Sequence, residues 1–180
     1  MASDFTCAAK LLDGAEVSIR RLGRDDYDSV VNLAAGLTGD ERYLRFFTVH
    51  PTHIDNWARS LTTPTDGILA LGAFEGRDLI GLANYVELPE LGDAEIAVVV
   101  AHEKHDRGVG TLLLRTLGRI ARKAGLHRFV ADVLFENLAM RRVLREVGWP
   151  ITLHRDGAVL RIEVDLDSIE NDASLEHGAV

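Results

Sequence analysis

The fold is decided by the run "EIAVVVAHEKHDRGVGTLLLRTLGRIARKAG", Glu95 to Gly125. Ile96 to Ala101 is unbroken apolar sequence, which suits a strand covered on both faces. Gly108 and Gly110 then open a segment that places Leu113, Leu117, Ala121 and Ala124 on one stripe, with Arg115, Arg119, Arg122 and Lys123 off it. That is the pattern of a core-packed amphipathic helix. Between strand and helix, free backbone N–H groups and the positive end of the helix dipole converge, which makes an anion site. Local charge agrees: Lys104 to Arg128 carries seven Lys or Arg and one acid, Asp106, against 13 basic and 27 acidic residues elsewhere. A basic island in an acidic protein points to a phosphorylated ligand.

Working outward, the chain alternates strand and helix patterns. "AEVSIRRL" reads as a strand and "RDDYDSVVNLAAGL" as a helix. "TGDERYLRFF" and "PTHIDNWARSLTT" read as two short helices, the second opened by Pro51 with Thr52 as cap. "GILALGAFEGRDLIGLANYVEL" reads as a hairpin turning at Glu75-Gly76-Arg77-Asp78, and "DAEIAVVVA" adds a third successive strand. "HRFVADVLF", "ENLAMRRVLREVGW" and "PITLHRDGAVLRIEVDL" follow as strand, helix and a closing hairpin through Asp156-Gly157. With 180 residues and 47% apolar side chains, one α/β domain with a sizeable core is expected over residues 15–166. Residues 1–14 read as a flexible N-terminal segment and 167–180 as a disordered acidic tail.

A net charge of −8 and 6% aromatics argue against a nucleic-acid surface. There is no signal peptide and no membrane-length apolar run, so a cytoplasmic location without a membrane partner is expected, with oligomerisation left open. The single cysteine, Cys7, has no fixed histidine partner, and no Gly-x-Ser-x-Gly elbow is present, which argues against covalent catalysis. "HEKH", His102 to His105, is one residue short of a zinc-protease spacing, so the two histidines cannot share a helical i, i+4 face and no metal is expected. His50 and His53 flank Pro51 at a loop or helix start, and Trp57 and Trp149 read as core or interface.

Other glycine-loop motifs fail. No Gly-Lys-Ser/Thr follows the glycines, and the third glycine of a dinucleotide fingerprint is replaced by Leu113. A strand, a five-residue loop, then His105-x-x-Gly108-x-Gly110 opening a helix resembles motif A of the GNAT acetyltransferase superfamily, Gln/Arg-x-x-Gly-x-Gly/Ala, with His105 in the first position. The likeness runs from Val17 to Leu166. "LTGDERYLRFF" and "AEIAVVV" are most similar to bacterial protein lysine acetyltransferases of the Pat type. No cyclic-nucleotide module or synthetase-like region is recognised, so regulation by those means is not expected.

The resemblance implies a GNAT fold: a mixed central sheet of about seven strands flanked by helices, with acetyl-CoA in the splay between the family's strands 4 and 5. It implies pyrophosphate binding by backbone N–H groups of His105, Asp106, Arg107, Gly108, Val109, Gly110 and Thr111. It implies pantetheine pairing and oxyanion stabilisation by the amides of Val98, Val99 and Val100, and contact of Asn137 with the pantetheine arm. An amine arrives protonated, with a pKa of about 10.4, and needs a base before it can attack a thioester. Glu95, opening the apolar strand, matches the Pat-type catalytic glutamate, with Asp93 and Glu87 as fallback bases acting through water. The tyrosine that many GNAT enzymes carry seven residues after the Asn is Leu144 here, which leaves Tyr85 as a substitute acid. Arg42 and Arg45 are placed at the acceptor mouth. The expected activity is direct acetyl transfer from acetyl-CoA to a protein lysine ε-amine. The alternatives are a small amine (polyamine, amino acid or antibiotic) as acceptor, and a non-catalytic acyl-CoA sensor.

Overall fold

The computed structural model describes residues 5–46 and 53–169. The chain opens with β1 (Thr6–Lys10) and β2 (Glu16–Arg21), followed by α1 (Tyr27–Ala35), α2 (Gly39–Phe46) and α3 (Ile54–Thr62). β3 (Ile68–Glu75), β4 (Asp78–Glu87) and β5 (Asp93–Val100) come next, and α4 (Val109–Lys123) crosses to β6 (Arg128–Leu134). α5 (Leu138–Val147), β7 (Ile151–Asp156) and β8 (Val159–Asp165) close the fold. Among the described residues the strands form one sheet in the order β1-β2-β3-β4-β5-β6-β8-β7. β5 and β6 are parallel and the other neighbours antiparallel, so the sheet is mixed.

Eight strands stand where about seven were expected. The addition is β1, inside the segment read as flexible. Its small residues carry no apolar alternation, and pairing with β2 from Thr6↔Arg20 to Lys10↔Glu16 fixes them as the sheet edge. At the other end, Asp167 to Ile169 are described and Ile169 packs on the core. The rest of the expected tail, 170–180, lies outside the described residues, as do His50, Pro51 and Thr52.

Local chemistry explains the elements that matter for the site. Thr38-Gly39-Asp40-Glu41 is a capping box at the start of α2. The Thr38 hydroxyl accepts from the Glu41 N–H at 3.2 Å, and the Thr38 N–H donates to Glu41 Oε2 at 2.7 Å. The β3–β4 turn holds Gly76 and Arg77 between the paired residues Glu75 and Asp78, where the sequence placed it.

The sheet is covered on both faces. Leu113, Leu117 and Leu144 of α4 and α5 pack on Ile96, Phe129 and Ile162, with Tyr85 and Trp149 in the same core. Val30, Leu33, Ala58 and Leu61 of α1 and α3 pack on Leu82 and Val99 from the other side. Consecutive β5 residues therefore meet apolar neighbours in both directions, which is why its sequence does not alternate. The α4 stripe is as expected except for Ala124, which caps the helix and is exposed. Among the described residues no helix is long and apolar enough to cross a membrane.

Candidate active site

Pairing between β5 and β6 stops at Glu95↔Val130, although β5 continues to Val100 and β6 to Leu134. Beyond Glu95 the two strands part and a cleft of about 440 Å³ opens between them, within the usual range for small-ligand sites. Which β5 peptide groups face it follows from the register. Ala101 donates to Ile80 O at 2.9 Å and Val100 pairs with Gly81, so the peptide groups of Ala97, Val99 and Ala101 point at β4. Those of Val98 and Val100 point into the opening. Val99 therefore cannot offer the amide expected of it. Its N–H and C=O belong to the β4 ladder, and its side chain is buried on the α1/α3 side.

The loop from β5 to α4 runs along one end of the cleft. Asp106 (φ +60°) and Gly108 (φ +83°) both adopt left-handed backbone, and Gly108 is the residue before the first turn of α4. Among the described residues, none of the six N–H groups from Asp106 to Thr111 donates to a protein acceptor; the first to do so is Leu112, to Gly108 O at 3.0 Å. A Cβ on Gly110 would sit 3.2 Å from Val143 Cγ2, so α4 and α5 meet closely enough there that Val143 would have to give by a few tenths of an ångström.

The loop side chains turn elsewhere. Arg107 donates to Asp13 at 2.5 Å and to Glu75 at 2.7 Å, which raises the guanidinium pKa further. Glu75, also bonded by Lys104 at 2.6 Å, is lowered to about 2, mainly by its Arg107 bond. Thr111 donates to Glu146 at 3.0 Å, and Asp106 pairs with Arg142. The sites expected at Arg107 and Thr111 therefore consist of their N–H groups alone. Leu12 N–H donates to Arg107 O at 3.1 Å, so the β1–β2 turn props the loop from behind. That support joins residues far apart in sequence, and no local pattern announces it. The α4 arginines face away as well: Arg115 bonds Glu146 O and Arg122 bonds Ile169 O. What the loop presents unbonded is backbone, and Lys104 and Arg142 line the same cleft.

Glu95 is the last β5 residue in register with β6. It is exposed, lines the cleft and lies on the Val99 face of the strand. Arg45 of α2 lines the same cleft, with its guanidinium 5.0 Å from the Phe46 ring and 5.4 Å from the Trp57 ring. Its Nε is shut off from solvent without a hydrogen-bond partner among the described residues. Burial pulls the Arg45 pKa down to about 10, opposed by the charge of Glu95. Arg42 does not share this position, because its Nε donates to Leu37 O at 3.1 Å.

The fallback groups are placed elsewhere. Asp93 is 8% exposed and bound by Arg128 Nε at 3.0 Å, and neither it nor Glu87 lines the cleft. Tyr85 is buried against Phe129 in the α4 core, on the opposite face from Glu95, and burial raises its pKa. It cannot serve as an acid at the cleft. Asn137 lines the cleft as the N-cap of α5; its Oδ1 accepts from Met140 N–H at 2.9 Å, which leaves the NH2 group for a ligand. The Cys7 thiol is half-buried on β1 and burial pushes its pKa up, as befits an inert thiol.

The face argument against "HEKH" also fails. His102 to Lys104 form a 3₁₀ turn, in which positions three apart eclipse, and the two imidazoles meet edge to face at 5.8 Å. His102 Nδ1 lies 2.8 Å and His105 Nε2 3.4 Å from the same oxygen, Glu41 Oε1. His105 Nε2 also donates to Val100 O at 3.1 Å.

A parallel pair that splays after a carboxylate, a left-handed loop with its N–H groups unused, and a capping Asn across the cleft lie within one matched sequence region. Residues 30–149 match the profile of the Acetyltransferase (GNAT) family. The chain belongs to the GNAT acetyltransferase family. Acetyltransferase Pat of Mycolicibacterium smegmatis is 34% identical over 77 residues, which span 43% of this chain and 23% of that relative. The GNAT domain of S. lividans PAT superposes with a TM-score of 0.80 at 26% identity, covering 89% of this chain and 96% of that one. Spermidine N-acetyltransferase from Vibrio cholerae, solved with CoA and spermine, shares the fold with a TM-score of 0.65 at 17% identity, covering 84% and 96% of the two chains. GNAT enzymes use acetyl-CoA, and the chain is similar to Pat relatives over the stretches given above.

Proposed function

We propose that the cleft binds acetyl-CoA and that the enzyme transfers its acetyl group directly to a protein lysine ε-amine. The observation that carries this reading is the row of six unused N–H groups beside a β5–β6 opening that Glu95 overlooks. Pyrophosphate sits on those groups, favoured by the start of α4. The pantetheine arm runs along β5, pairing with the peptide groups of Val98 and Val100 and the Asn137 amide. Glu95 takes the proton from the lysine ammonium, directly or through water. The neutral nitrogen then forms its bond to the thioester carbonyl carbon while the carbonyl π pair moves onto oxygen. A β5 N–H stabilises that oxyanion. Collapse breaks the C–S bond and expels CoA as a thiolate, whose own pKa of about 8.5 lets it leave without a dedicated acid, while the attached nitrogen gives its second proton to water or to that thiolate and becomes the amide.

The protein acceptor is favoured by the likeness to the PAT GNAT domain and by the exposed setting of Glu95. The shared fold of a spermidine acetyltransferase keeps a small polyamine as the second reading. Glu95→Gln tests the chemistry. Turnover of acetyl-CoA against a panel of proteins and amines, with mass-spectrometric location of the acetyl group, should fall about 10²–10⁴-fold, the usual worth of a positioned base. Acetyl-CoA affinity should stay near wild type, and raising the pH should partly restore rate as more amine arrives neutral. A variant with wild-type turnover removes Glu95 from the mechanism. Tight acetyl-CoA binding by the wild-type protein without acetylation of any panel member favours the sensor.

A further inference from the structure

The Glu41, His102 and His105 side chains have no role in the acetyl transfer just described, and the His105 N–H expected at the pyrophosphate donates instead to His102 O at 3.4 Å, yet two elements bring the three side chains together. Their ligand atoms lie within 4.8 Å of one another. We propose that they form a three-ligand site for a transition-metal ion of the Zn²⁺ class, at the junction of α2 and the phosphate loop.

The donor set is borderline-soft: two imidazoles and one carboxylate, the combination that binds Zn²⁺ with a fourth position left to water. Zinc bonds of about 2.0–2.2 Å in a tetrahedron separate neighbouring ligand atoms by about 3.3 Å. The observed separations of 2.8 and 3.4 Å from Glu41 Oε1 bracket that value, and all three ligand atoms lie within 4.8 Å of one another.

The carboxylate is already oriented. Glu41 Oε2 accepts from Thr38 N–H at 2.7 Å as part of the capping box, which aims Oε1 at the imidazoles. Such outer contacts fix ligand geometry in metal sites. The 3₁₀ turn supplies the rest, because its three-residue period puts His102 and His105 over one another. Metal binding at His105 Nε2 requires the tautomer protonated at Nδ1 and so replaces the bond to Val100 O. The ion would clip α2, which carries Arg45, to the start of the loop that holds the free N–H groups.

The test uses the full chain, stripped with chelator and titrated with ZnCl₂ by calorimetry, and separately with Co²⁺ followed by visible absorption. Glu41→Gln keeps the capping box, since Gln serves at that position, and removes the charged ligand. His102→Ala alters an exposed side chain. The wild-type protein should take one ion per chain and give the intense visible bands of four-coordinate Co²⁺. Each variant should keep its thermal midpoint without metal and bind Zn²⁺ at least about tenfold more weakly. Absence of saturable one-to-one binding by the wild-type protein overturns the proposal, and so does either variant binding like wild type. Neither readout depends on acetyl transfer.

Discussion

Gly108→Ala probes the loop that defines the site. Gly108 sits at φ +83° and ψ 8°, in the left-handed region, where an L side chain costs about 1–2 kcal/mol. A Cβ there would meet Leu12 Cγ at 3.1 Å, but Leu12 is 76% exposed and can swing aside, so the backbone term dominates. A domain of this size loses about 2–4 °C of Tm per kcal/mol, which puts the expected fall at about 2–8 °C by scanning calorimetry. The contacts of the new Cβ are to Leu12 alone, on the side away from the cleft, and every loop N–H is retained. CoA affinity measured by titration calorimetry should therefore weaken by less than about tenfold, or 1.4 kcal/mol. An unchanged Tm refutes the left-handed assignment. A folded variant that no longer binds CoA refutes the placement of Gly108's Cβ behind the loop.

Glu75 should make loop support pH-dependent. Its folded pKa of about 2 lies below the unfolded value of 4.5, so its contribution is present above about pH 4.5 and is lost as the pH falls toward 2. The Tm gap between wild type and Glu75→Gln should be full near neutrality and close across that window; a gap independent of pH contradicts the ion-pair account. Asn137→Asp keeps the acceptor that caps α5 and removes the NH2 group. Its Tm should match wild type while acetyl-CoA binds up to about tenfold more weakly, the worth of one hydrogen bond; a large fall in Tm would show that the amide group itself supports the fold.

The site was legible where chemistry follows chain order. The apolar run, the glycine spacing and the helix after them are local, and they placed the splay strand, the loop and Glu95 correctly with respect to one another. What required three dimensions was misread. The direction of the Val99 peptide group depends on registration with β4, which the sequence of β5 does not contain. Tyr85 and Glu95 lie on adjacent strands, and which face each presents is again a matter of register. The Arg107 side chain is held by Asp13 and Glu75, 94 and 32 residues earlier in the chain, and no local pattern announces those partners. β1 has no pattern of its own and exists because β2 pairs with it. The histidines were judged on α-helical spacing, where the chain makes a 3₁₀ turn.

The central claim is that acetyl-CoA is held by the backbone of one loop and one strand edge. Amide hydrogen–deuterium exchange with and without saturating acetyl-CoA, resolved by mass spectrometry, reads those N–H groups directly. In the free protein the amides from Asp106 to Thr111 have no acceptor among the described residues and should exchange fast. Bound acetyl-CoA should slow exchange there and at Val98 and Val100, leaving Val99 as it was because its N–H already faces β4. Saturating acetyl-CoA that leaves the exchange of Asp106 to Thr111 unchanged would contradict the account.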